Sequence, residues 1–81
     1  MTREEIQYLV IAAIQEVAPE VEASDINEEE DIREACDLDS MDFLNYLITL
    51  KKSTGVNILE RDYVKVSSFK KMLDYLTAEL D

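Results

Sequence analysis

The chain has no histidine, and only one cysteine, one glycine and one proline in 81 residues. Without histidine, no base stands ready to turn a serine into a nucleophile by the usual triad route. A single glycine cannot build a phosphate-cradling loop, so an enzyme in its own right is the least favoured reading. The lone Cys36 has no partner for an internal disulfide, which suits a reducing compartment, and its expected role is packing. No apolar run approaches the roughly 18 residues of a membrane span. At the start of the chain Arg3 is followed by Glu4 and Glu5, and the apolar residues there have helix spacing, unlike a signal peptide. A soluble cytoplasmic protein is therefore expected, with residues 1–81 as one small domain around a single core.

What the chain does have is negative charge, unevenly placed. Residues 19–42 carry −10 of the net −11, whereas residues 43–66 carry +2. Such a field repels nucleic acid and steers basic partners toward whatever lies at the end of the acidic stretch. The plain alternative is a solvated acidic loop. Tyr8, Tyr46, Tyr63 and Tyr75 read as core or boundary residues, because the same field would keep a nucleic-acid strand off any aromatic platform.

Hydrophobic spacing gives the secondary structure. Thr2-Arg3-Glu4-Glu5 is a capping box, in which the threonine oxygen and the glutamate side chain satisfy opposite backbone donors at a helix start. Ile6, Leu9, Val10, Ala13, Ile14 and Val17 then recur at helical spacing, and Pro19 disfavours helical geometry at Ala18, so the first helix covers about residues 3–17. Residues 19–38 show no sustained period; Ile26, Ile32 and Leu38 look like pins for a long loop, with a helical turn somewhere in 28–36. Asp39 is a good N-cap, Lys51 and Lys52 favour a helix C-terminus, and Gly55 falls where a left-handed terminating residue is wanted, which places a second helix at 40–53. Residues 59–63 make a short helix, and Ser67 or Ser68 caps a last one through Phe69, Met72, Leu73, Leu76 and Leu80 to the C-terminus. No stretch alternates like a half-buried strand. The fold class expected is all-α: a small four-helix bundle of three main helices and one short helix, with a long acidic loop between the first two main helices.

Ser40 opens the second helix directly after the acidic stretch, in Asp37-Leu38-Asp39-Ser40-Met41-Asp42. An exposed serine with no base beside it is better suited to being modified than to catalysis. At about 100° per residue, Phe43, Tyr46, Leu47 and Leu50 share one side of the helix, while Met41, Leu44 and Ile48 share another. A domain this small can hardly bury a helix all round. Because Ser40 projects beside Leu44 and Ile48, the first stripe is assigned to the core and Met41, Leu44 and Ile48 to an exposed docking patch. Burial of both stripes under the long loop is the alternative.

With these residues placed, the chain resembles the acyl carrier proteins, small helical domains that carry a 4′-phosphopantetheine arm on a serine. The match rests on Asp39-Ser40-Met41 at the start of the second helix, and runs on through Gly55-Val56-Asn57-Ile58 and Val66-Ser67-Ser68-Phe69 over essentially the whole length. The resemblance implies covalent attachment of the arm, drawn from coenzyme A, at Ser40. The implied partners are a phosphopantetheinyl transferase and acyl- or aminoacyl-transferring enzymes with basic docking surfaces, met by Asp37, Asp39, Met41, Asp42, Leu44 and Ile48. It implies a monomer with no metal and no catalytic residue of its own, since the arm's thiol carries the cargo. The family commonly has a glycine three residues before the serine, where this chain has Asp37, and acids along the second helix where this chain has Asn45, Lys51 and Lys52.

Two other readings compete. An acidic helical protein-interaction module that is never modified explains the charge but not the placement of Ser40. A calcium loop is suggested by Asp25, Asn27, Glu29 and Asp31 at alternating positions, but Glu30 stands at the glycine position and Cys36 at that of the closing glutamate.

Overall fold

The computed structural model describes residues 1–80 and is all-α, with no strand among them. Helix α1 spans Arg3–Val17, and its capping box forms as the sequence dictates. Thr2 Oγ1 accepts the Glu5 amide at 3.2 Å, and Glu5 Oε1 accepts the Thr2 amide at 3.0 Å. Its Ile6, Val10, Ala13 and Ile14 are buried, while Tyr8 is 72% exposed, contrary to its assignment to the core or boundary. Tyr8 lies two residues from Ile6 and Val10, about 200° away around the helix, and so on the outer side.

The acidic stretch that follows has more regular structure than its lack of period suggested. A 3₁₀ turn at Ala23–Asp25, absent from the sequence expectation, precedes a one-turn helix α2 at Ile32–Ala35, inside the expected window of 28–36. Ile32 and Leu38 are buried and Ile26 is half-buried against the core. Two backbone hydrogen bonds, the first of them part of an isolated bridge, fasten this stretch to the start of the last helix. The Ile32 amide donates to the Ser67 carbonyl at 2.7 Å, the Lys70 amide donates to the Glu28 carbonyl at 3.1 Å, and Asp31 and Ser68 form an isolated bridge. These non-local bonds leave no trace in periodicity.

Helix α3 runs Ser40–Thr54, one residue beyond expectation. Gly55 closes it in the left-handed region at φ 77°, its amide donating to the Lys51 carbonyl at 2.8 Å. The short helix expected at 59–63 is instead a 3₁₀ segment, Glu60–Val66. It starts one residue later and runs three further, because fully buried Val66 anchors its far end. Helix α4, Phe69–Leu80, is capped by Ser68, whose Oγ accepts the Lys71 amide at 3.1 Å. The expected continuation to Asp81 lies outside the described residues.

Helix α1 packs against both α3 and α4, and α4 packs against the 3₁₀ segment. Phe69, Met72, Leu73 and Leu76 meet the buried residues of α1 and α3 in one hydrophobic cluster, which also takes in Cys36 at 4% exposure. Burial there pushes the Cys36 thiol above its ordinary value, in keeping with a packing role. Among the described residues, no helix is long and apolar enough to cross a membrane.

Candidate functional site around Ser40

Ser40 is the first residue of α3, and it is exposed. Its placement depends on the two turns before it. Asp37 lies in the left-handed region at φ 54°, the one non-glycine residue with positive φ among those described. This is the position at which a glycine would be free of strain, whereas aspartate tolerates it at some cost. Leu38 then drops into the core, its amide donating to the Arg33 carbonyl at 2.8 Å. Asp39 is extended and caps α3, its Oδ1 accepting the Asp42 amide at 2.8 Å. Among the described residues nothing accepts the Ser40 or Met41 amides, so two free donors and the positive end of the helix dipole flank the hydroxyl.

Downstream, the two stripes of α3 separate. Phe43, Tyr46, Leu47 and Leu50 are buried; Met41 is 66% exposed, Leu44 43% and Ile48 50%. Leu44 and Ile48 sit with Leu47, Lys51, Asn57, Ile58 and Tyr63 along an open groove of about 250 Å³, which Met41 does not line. Asp37, Asp39 and Ser40 are exposed and Asp42 half-buried around the N-terminus of the helix. The structure thus groups the three acids with Ser40, and groups Leu44 with Ile48 farther along the same helix. A larger surface hollow of about 400 Å³ follows the first turns of α1, from Met1 to Leu9, and includes no residue of α3.

Sequence reasoning missed two contributors. Arg33 lies with its guanidinium carbon 5.0 Å from the centre of the Phe43 ring and donates from Nε and Nη2 to the two oxygens of Asp31, each at 3.2 Å. Its hydrogen bonds hold the Asp31 carboxyl below its ordinary value, and Asp31 in turn raises that of Arg33. Tyr63 meets Phe43 edge to face, 5.7 Å between ring centres. Arg33 left one signal in the sequence, as the only cation in residues 19–42; Tyr63 is half-buried against the core, as its reading as a core or boundary residue expected, but its tertiary contact with Phe43 left no signal. Among the described residues, no three His, Cys, Asp or Glu side chains are grouped to hold a metal ion.

No protein-family model and no curated protein matches the chain.

Proposed function

We propose that this protein is a carrier, bearing a 4′-phosphopantetheine arm on Ser40 that holds acyl or aminoacyl groups as thioesters and presents them to partner enzymes. The observation that carries the reading is the exposed Ser40 hydroxyl on the first turn of a capped helix, at the end of the acidic stretch and above a half-exposed apolar stripe. The helix order, three long helices with a short element before the last, fits the four-helix carrier layout that the sequence resembles.

In loading, Ser40 Oγ attacks the phosphorus of coenzyme A that bears the pantetheine. The phosphoanhydride bond breaks, adenosine 3′,5′-bisphosphate departs, and the hydroxyl proton passes to a base on the transferase, since this chain has no histidine to take it. The new phosphodiester lies by the free amides of Ser40 and Met41, where the helix dipole favours negative charge. Asp37, Asp39 and Asp42 oppose that charge; their role is to attract a basic transferase and its magnesium. Once attached, the arm supplies a terminal thiol for thioester formation, and the protein supplies tether and address. Partner encounters are brief, steered by charge and completed by Met41, Leu44 and Ile48. The protein works as a cytoplasmic monomer.

The test is intact mass after incubation with coenzyme A and a broad-specificity phosphopantetheinyl transferase. Wild type gains the mass of one arm and Ser40→Ala gains none. A wild-type chain that stays at its starting mass rejects the carrier reading and leaves the unmodified acidic interaction module in its place.

A further inference from the structure

Arg33 stands alone as a cation among the eleven acids of residues 19–42. Three contacts radiate from this one residue. Its side chain donates to both oxygens of Asp31, its guanidinium lies over the Phe43 ring, and its carbonyl accepts the Leu38 amide. Asp31 belongs to the part of the loop bridged to Ser68. Leu38 follows the left-handed turn at Asp37. Phe43 lies three residues beyond Ser40, about one turn along α3, on the buried stripe that borders the serine's side.

Arg33 therefore touches three pieces of chain around Ser40: the loop and the first turn of α3 through its side chain, and the turn at Asp37 and Leu38 through its backbone carbonyl. The planar fork of an arginine is suited to this double duty, because it can pair with a carboxylate through its edge while its face stacks on a ring. A lysine would keep the charge and lose both geometries.

Resting on the carrier reading of Ser40, we infer that Arg33 is a positioning residue for modification: it clamps the acidic loop onto the first turn of α3 and so holds the Ser40 hydroxyl in line for attack. A role through charge alone predicts the opposite kinetics. Removing the cation makes the surface more negative, strengthens attraction of a basic transferase, and lowers KM without changing kcat.

The experiment is steady-state loading of the full chain with coenzyme A and a broad-specificity phosphopantetheinyl transferase, at a temperature where far-UV circular dichroism shows every variant folded. Arg33→Ala should lower kcat roughly tenfold with KM unchanged or reduced, as expected for a misdirected nucleophile. Arg33→Lys should show the same fall in kcat, and carries the test if the alanine variant does not fold. Phe43→Leu should also lower kcat, and combining it with Arg33→Ala should add little, because both changes break one contact. The clamp is overturned if kcat stays within about twofold of wild type, if only KM moves, or if lysine restores full activity. Equal loading of all variants sinks the clamp alone. Failure of wild type to load removes the carrier reading, and the clamp with it.

Discussion

Tyr46→Phe should stabilise the protein. Tyr46 has no accessible surface, and its hydroxyl has no hydrogen-bond partner among the described residues. Burying such a group without a partner costs about 1–3 kcal/mol, and phenylalanine fills nearly the same volume without that cost. For a domain of this size, each kcal/mol gained raises Tm by about 4–8 °C. Alkaline pH supplies a second signature. Burial, with a smaller contribution from Cys36, pushes the Tyr46 phenol well above its ordinary value of 10.0, so it stays neutral in the folded chain while its unfolded counterpart ionises. The stability contributed by the neutral form is complete below pH 10 and is lost as pH rises toward the folded value. Phenylalanine has no proton to lose, so the stability gap between variant and wild type should widen by about 1 kcal/mol between pH 10 and pH 11. Urea unfolding at pH 7, 10 and 11 checks both parts. A variant less stable at neutral pH, with no divergence under alkali, would show that the hydroxyl is partnered and the reasoning wrong.

Further outcomes follow from the turns around Ser40. Asp37→Gly relieves a left-handed aspartate and removes one acid, against the greater chain freedom of glycine when unfolded, for a net gain of about 0.5–1 kcal/mol in thermal melts; a loss would mean that the Asp37 side chain is doing unrecognised structural work. The Asp31 carboxyl is held below its ordinary value of 3.8 chiefly by Arg33, so its contribution is present above that value and lost as pH falls through the lower folded one. Stability of Asp31→Asn should therefore fall less steeply than wild type below pH 4 in acid titrations followed by circular dichroism; parallel curves would argue that the Asp31–Arg33 contact carries no energy.

Much of the helical layout was legible because each boundary is a local event. The Thr2–Glu5 box, Asp39 and Gly55 announce helix ends within a few residues of sequence; spacing separates the two apolar sides of α3, and the position of Ser40 says which of them is exposed. What lay beyond reach was set by contacts across the chain. Val66 decides that the connector before α4 runs to residue 66, and the hydrogen bond from Ile32 to Ser67 fastens the loop to the entrance of α4. At the site, the helix-opening serine and its acids were readable from order and charge. The left-handed backbone of Asp37 had one pointer, its place where the resembled family commonly has a glycine, whereas the stacking of Arg33 on Phe43 had none, since nothing in a run of acids says which ring lies below a cation.

The fastening of the loop to α4 divides the twenty or so residues between the first two long helices into unlike halves. From Glu28 onward the backbone is hydrogen-bonded into the last helix's entrance, so its geometry is dictated from the far end of the polypeptide. The portion around Ala23–Asp25 is held mainly by its own short turn. Extra residues spliced in near Ser24 would bulge into solvent and leave the approach to Ser40 undisturbed, whereas one residue added between Glu28 and Ile32 would put those two anchors out of step and shift the serine's whole pedestal.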